Sequence, residues 1–366
     1  MPLLSPSSRL RKTPFSKGVE AAGIKAYTVY NHMLLPTVFD TPEIDYRHLK
    51  SHVQVWDVSC ERQVEITGPD AFKLMQLLTP RDLTKMREDQ CYYIPVVNDT
   101  GGMLNDPVAL RRDEDRWWIS IADSDLLFWI KGVAYGLRLN VRVGEPDVSP
   151  LAVQGPDAEN LMARVFGEAV RDIRFFRHKK LPFNNTSMIV ARSGYSKQGG
   201  FEIYVEGSDN GMPLWNALFE AGTDLEVRAG CPNLIERIEG GLLSYGNDAT
   251  AENTPYECGL GKFCNRLDGD YIGKSALENE QRNGPQKQIR AISVPGKPLQ
   301  PISKATPLFR EDKQLGQITS LAWSPDFQTN VAIGMVDKSC WKSATEMTVE
   351  IDDTNLTAII RDKFWI

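Results

Sequence analysis

The apolar positions of the chain fall into short alternating runs, and the clearest lies between residues 91 and 110, CYYIPVVNDTGGMLNDPVAL. Tyr92, Ile94 and Val96 alternate with Tyr93, Pro95 and Val97, which predicts a strand with two usable faces. Asn98-Asp99-Thr100-Gly101-Gly102 is turn chemistry, because Gly tolerates positive φ and Asn and Asp close local hydrogen bonds. Met103-Leu104 and Val108-Ala109-Leu110 then run back as a second strand. Asn105 and Asp106 are left in the middle of an apolar hairpin, directly before Pro107. A buried carboxylate is costly unless it is paired or hydrogen-bonded. Asp106 is therefore either a turn or edge residue facing water or a group aimed into a cleft, and the hairpin alone does not decide.

The same reading extends along the chain. Residues 1–25 read as an extended arm that packs late or frays. Residues 26–40 read as two strands with a polar break at Tyr30-Asn31-His32. Thr41-Pro42-Glu43 predicts a helix start, with Thr as cap and Pro at the first helical position. QVEITGPDAFKLMQLLT (63–79) and SPLAVQGPDAENLMARVF (149–166) share a strand, a Gly-Pro-Asp-Ala turn and a helix carrying Leu-Met, which predicts a duplicated α+β unit. A helix is expected over Pro232–Tyr245, and the polar stretch NEQRNGPQK (279–287) is the best linker. Only strands and turns follow it, as in a small all-β barrel or sandwich.

Composition narrows the function. The chain has 366 residues, enough for two or three domains, with a net charge of -6 that disfavours nucleic-acid backbones. The N-terminus has no apolar core segment of a secretory signal, and no run approaches a membrane span, so a cytoplasmic location is expected. The six cysteines form no C-x-x-C pair and read as free thiols. The four histidines are dispersed, and His48 and His52 on one helix face lack a third ligand, so neither a zinc site nor a His-based triad is expected. The loop SGYSKQGG (193–200) is not a dinucleotide fingerprint, and CGLGK (258–262) is not a P-loop.

VWDVS (55–59), VEITGPDA (64–71), NDTGGMLNDPV (98–108), RSGYSKQGGFEIYV (192–205), ERIEGGLLSYGND (236–248) and LGQITSLAWSPDFQTNVAIGMV (315–336) together resemble the glycine-cleavage T-protein, or aminomethyltransferase, family. The resemblance runs in order through nearly the whole chain. It implies an α+β fold of three lobes: two intertwined, ferredoxin-like α+β lobes within a folate-binding region over residues 1–280, and a C-terminal β-barrel over 281–366. YTVYNHMLLPTVFD, WWISIADSD and AGCPNLIERIEGGLLSYGND resemble one branch in particular, the tetrahydrofolate-dependent demethylases of dimethylsulfoniopropionate. That branch implies a small sulfonium substrate and folate as partners, no nucleic acid and no membrane. It leaves a homodimer open.

Carried over residue by residue, the resemblance makes Asp106 catalytic and puts Tyr93, Tyr195, Glu202, Tyr204 and Asn233 at folate. An acidic group suits a pterin edge because a carboxylate accepts two N–H bonds in one plane. Tyr30, His32 and Lys197 are the substrate candidates: Tyr30 as an electron-rich wall for a sulfonium, Lys197 for a carboxylate. The chain departs from the amino-methyl enzymes at Asn233, where they usually have Arg, at Ala122, where they have Asn, and in YSKQGG, where they read YTGEDG. These departures weigh against aminomethyl transfer from a lipoyl arm. The readings set beside demethylation are glycine-cleavage aminomethyl transfer, related folate-dependent N- or O-demethylation, and a non-catalytic folate-binding helper.

Overall fold

The computed structural model of the chain describes residues 7–266 and 268–366. Two sheets and a barrel carry the architecture. The first sheet has five strands in the spatial order Arg142–Gly144, Gln63–Thr67, Arg116–Ser120, Val108–Arg111, Cys91–Tyr93. The second has six, in the order His178–Phe183, Thr186–Ala191, Gly200–Glu206, Val148–Gln154, Gln54–Asp57, Arg228–Gly230. Strand Gln54–Asp57 precedes every strand of the first sheet in the chain, yet it sits in the second sheet between Val148–Gln154 and the parallel Arg228–Gly230. The two lobes are therefore interwoven, and neither is a contiguous piece of sequence. One apolar cluster joins them, with Cys91, Leu110 and Trp118 against Ile189, Ala191 and Tyr204. The six C-terminal strands close into a barrel.

The two Gly-Pro-Asp-Ala units fold alike. Their helices run Ala71–Leu78 and Ala158–Phe166, and each buries its Leu-Met pair. Gly68 and Gly155 share φ +122. A Cβ on Gly155 would stand 2.1 Å from the carbonyl oxygen of His52, so backbone crowding, not only φ, requires glycine there. Gly155→Ala is expected to lower stability by at least ~2 kcal/mol, through strain and overpacking together. Unchanged denaturation midpoints would refute that account.

Four expectations are corrected. The stretch expected as a fraying arm contains helix Ser16–Ala21, with Phe15 and Val19 fully buried and Phe15 packed on Trp215; residues 1–6 lie outside the described residues. The helix expected over Pro232–Tyr245 is only Leu234–Glu239. It stops because Gly241 takes φ +65 in contact with Phe364 and Leu242 N–H folds back to the Arg237 carbonyl at 2.8 Å. The proposed linker is largely helical, since Lys274–Asn283 is anchored by buried Leu277 and the barrel begins at Lys287. The hairpin over 91–110 is not one ladder. Cys91–Tyr93 pairs with Val108–Arg111 in the first sheet, while Val96–Val97 pairs separately with Met103–Asn105. Pro95 and Pro107 have no N–H to continue the ladder, and Asp106 sits at the break between the two halves.

Candidate active site

A cavity of about 1290 Å³ opens where the two sheets, the Leu234–Glu239 helix and the barrel meet. Tyr93 and Asp106 face it from either side of the hairpin break, and the Tyr93 hydroxyl donates to Asp106 Oδ2 at 2.5 Å. Burial pushes the Asp106 carboxyl up to about 7, while the Tyr93 hydrogen bond pulls it back down. At neutral pH this group is poised between its acid and base forms.

Two more carboxylates line the same space. Glu202 projects from the second sheet, is 7% exposed and accepts a hydrogen bond from the Ser193 hydroxyl. Glu61 comes from the segment between Gln54–Asp57 and Gln63–Thr67, which crosses from one sheet to the other. Burial, and then the Glu202 and Asp106 carboxylates, raise the Glu61 acid well above its ordinary range. No cation is among the groups acting most strongly on Glu61, Asp106 or Glu202. The nearby Arg237 is held instead by Asp248, Nη1 to Oδ2 at 2.8 Å. The cavity therefore has an acidic interior that suits a cation or a set of N–H donors.

The elements that position these groups are locked by polar side chains. Tyr30 closes the first hairpin at a two-residue turn in which Asn31 and His32 have φ +50 and +63, a conformation Asn adopts readily. Asn31 is buried and donates to the carbonyls of Cys60 at 2.9 Å and Ala122 at 3.1 Å, while its own oxygen accepts from Ser124 N–H. Asn105 is fully buried and exchanges bonds with Ala122 in both directions at 3.0 Å. The Ala122 turn is thus held by its backbone, which needs no side chain there.

The structure brings Tyr30, Tyr93, Asp106, Tyr195 and Glu202 to the cavity wall and Lys197 to its exposed rim. The Tyr195 hydroxyl reaches the Leu243 carbonyl at 2.8 Å, which the early end of the helix exposes. Three placements differ from the sequence reading. His32 is exposed at the turn tip and does not line the cavity; only its carbonyl is used, accepting from Arg11 N–H at 2.9 Å. Asn233 touches the cavity, but its side chain caps the helix, accepting from Ile235 and Glu236 N–H and donating to the Pro42 carbonyl at 3.1 Å. Its side-chain oxygen is thus engaged by the helix, and one amide hydrogen remains for a ligand. Tyr204 is fully buried behind the wall against Trp118, with its hydroxyl unpartnered. Sequence reasoning missed Glu61 and Arg237. Glu61 sits in a five-residue connection with no periodic signal, and Arg237 reads as one charge of a surface helix.

The family model for the GCVT N-terminal domain matches residues 15–267, and that for the glycine cleavage T-protein C-terminal barrel domain matches 287–365. The chain belongs to the glycine cleavage T-protein family. It is 62% identical over 365 residues to the dimethylsulfoniopropionate demethylase DmdA of Ruegeria pomeroyi, covering all of both chains. It is 25% identical to the aminomethyltransferase of Caldanaerobacter subterraneus subsp. tengcongensis, covering 97% of this chain and 95% of that one. The crystal structure of aminomethyltransferase T from Bartonella henselae superposes with a TM-score of 0.87 at 22% identity and 98% coverage of each chain. The superposition shows that the chain has the fold of an aminomethyltransferase T-protein. No helix among the described residues is long and apolar enough to cross a membrane.

Proposed function

We propose that this T-protein family member transfers a methyl group from dimethylsulfoniopropionate to N5 of tetrahydrofolate, yielding methylmercaptopropionate and 5-methyltetrahydrofolate. The observation that carries the reading is the 62% identity over the full length of the chain with the Ruegeria pomeroyi demethylase. The site supports it chemically. Folate supplies the N5 lone pair; the N5–carbon bond forms as the carbon–sulfur bond breaks, and its electron pair stays on sulfur. A sulfonium leaves without protonation, so the reaction needs no imidazole acid, in keeping with a cavity lined without histidine.

Asp106 takes the proton that N5 loses, and Tyr93 fixes the carboxylate's orientation through their hydrogen bond. Glu202 offers two acceptor oxygens to the N–H edge of the pterin. Tyr30 and Tyr195 wall the onium group and folate, and Lys197 meets a carboxylate at the rim. The cavity's main contribution is alignment of nucleophile, methyl and sulfur, which supplies on the order of 7–11 kcal/mol. Carboxylates near the sulfonium stabilise the ground-state cation more than the charge-dispersed transition state, so their charge strengthens binding without accelerating the transfer. A bound sulfonium favours the ionised form of Glu61 against its burial, so Glu61→Gln is expected to raise the KM of the sulfonium about tenfold with little change for folate. Equal rises for both would assign Glu61 to folate instead. A cytosolic setting follows from the same reading, consistent with six cysteines that are all free thiols.

The test is anaerobic incubation of the purified protein with tetrahydrofolate and dimethylsulfoniopropionate, with 5-methyltetrahydrofolate measured by mass spectrometry. Enzyme-dependent product is the expected result. Folate binding without product would sink the donor assignment and leave the fold; absence of both would sink the folate reading.

A further inference from the structure

Phe175 is 74% exposed although it lines the main cavity beside Phe176, with ring centroids 4.8 Å apart. A single exposed apolar ring is ordinary on a protein surface. The backbone next to it is not. Phe176 has φ +56, in the left-handed region that a bulky residue occupies only when its surroundings impose it. Two backbone hydrogen bonds impose it here: Cys91 N–H donates to the Phe176 carbonyl at 3.0 Å, and Phe176 N–H donates to the Arg192 carbonyl at 2.9 Å. Cys91 begins the strand that carries Tyr93, and Arg192 directly precedes Ser193 and the loop of Tyr195. The strained residue thus ties together the two elements that bring Tyr93 and Tyr195 to the cavity. Strain of this kind collects where geometry has a function.

We propose that Phe175 is the outer aromatic wall of the folate site, stacking on the aminobenzoyl ring of bound tetrahydrofolate and setting folate affinity without taking part in methyl transfer. The proposal rests on the folate reading above. Transfer requires the sulfonium carbon to touch N5, so pterin and onium group both lie inside, near Asp106 and the other carboxylates. What reaches the solvent edge is the next rigid part of folate, a flat ring one short linker from the pterin. The small aliphatic sulfonium acid has no such group and is consumed in the interior. Phe175 offers an uncovered ring face at that edge, and offset or edge contacts between rings are favourable beyond simple burial.

The experiment compares wild type with Phe175→Ala and Phe175→Tyr, using tetrahydrofolate and, separately, 6-methyltetrahydropterin, which lacks the aminobenzoyl ring. Phe175→Ala is expected to weaken tetrahydrofolate binding roughly tenfold. At saturating folate, kcat and the sulfonium KM should stay within about twofold of wild type. Phe175→Tyr should restore affinity, and with 6-methyltetrahydropterin all three proteins should behave alike. Unchanged folate affinity in Phe175→Ala would overturn the proposal, as would an equal loss with both pterins or a loss expressed in the sulfonium KM. Because the side chain is mostly exposed, the variants should fold, and matching denaturation curves confirm it. Wild-type protein that binds no folate would overturn the underlying reading and this one with it; wild-type binding with an indifferent Phe175→Ala would overturn this one alone.

Discussion

Asp106→Asn is expected to lower kcat by about 10²- to 10⁴-fold, the range in which a positioned proton acceptor contributes, while folate affinity stays within about threefold. The amide preserves the shape, and its oxygen still accepts from the Tyr93 hydroxyl, so the cavity wall is kept while the proton acceptor is lost. Near wild-type turnover would remove Asp106 from the mechanism. The pH dependence adds a second readout. Asp106 must be ionised to accept the N5 proton, and its carboxyl is raised to about 7, so wild-type kcat/KM should fall as pH drops through that value. The variant should lack this limb.

The same carboxyl makes a stability prediction of opposite sense. Its folded value of about 7 stands above the ordinary 3.8, so between those pH values the folded protein binds more protons than the unfolded chain. Stability from this group is therefore full at low pH and drains away as pH rises through 7. Asp106→Asn escapes the loss, which is on the order of 2 to 4 kcal/mol for a shift of this size. The variant should gain thermal stability relative to wild type between pH 5 and pH 8. A gap that closes with rising pH would show that the carboxyl is not destabilised by burial.

Arg237→Ala is expected to cost about 3–5 kcal/mol, the usual penalty for orphaning one partner of a buried pair. Arg237 and Asp248 are 8% and 0% exposed at their side chains, 2.8 Å apart. Asp248 also accepts from Ser244 N–H at 2.9 Å and from the Thr319 and Ser320 hydroxyls at 2.6 and 2.7 Å, so the cluster ties the cavity floor to the barrel. Without the guanidinium those donors remain, but the charge stays buried. Arg237→Met combined with Asp248→Asn should recover part of the loss, because it removes both charges while an amide oxygen still accepts from those donors. A single-variant cost below about 1 kcal/mol, measured by denaturant unfolding, would mean that water replaces the arginine freely.

Much of the element order was legible because its causes are local. Alternation, Gly-Pro-Asp-Ala turns and a Thr-Pro helix start act within a few residues, and the Thr41 hydroxyl does accept from Ile44 N–H as its pattern implied. The family resemblance held for the same reason, since it rests on many short motifs in one order. The isolation of Asp106 in an apolar hairpin was visible too, although its exposure to a cavity was not.

Local pattern failed where distant residues decide. The Pro232–Tyr245 periodicity is broken by a left-handed Gly241 packed on Phe364, more than a hundred residues away in sequence. Asn233 looked free for a ligand, but its oxygen caps its own helix and one amide hydrogen is held by the carbonyl of Pro42 from another helix. His32 and Tyr30 are two residues apart, yet the turn points one to solvent and the other to the cavity. By itself the sequence determined most strands and turns, the duplicated unit and the family. The tertiary structure alone decided which polar groups meet: burial and mutual repulsion among Glu61, Asp106 and Glu202 arise only when the crossing segment, the hairpin and the second sheet converge on one space, and desolvation acts on three-dimensional neighbours and not on neighbours in the chain.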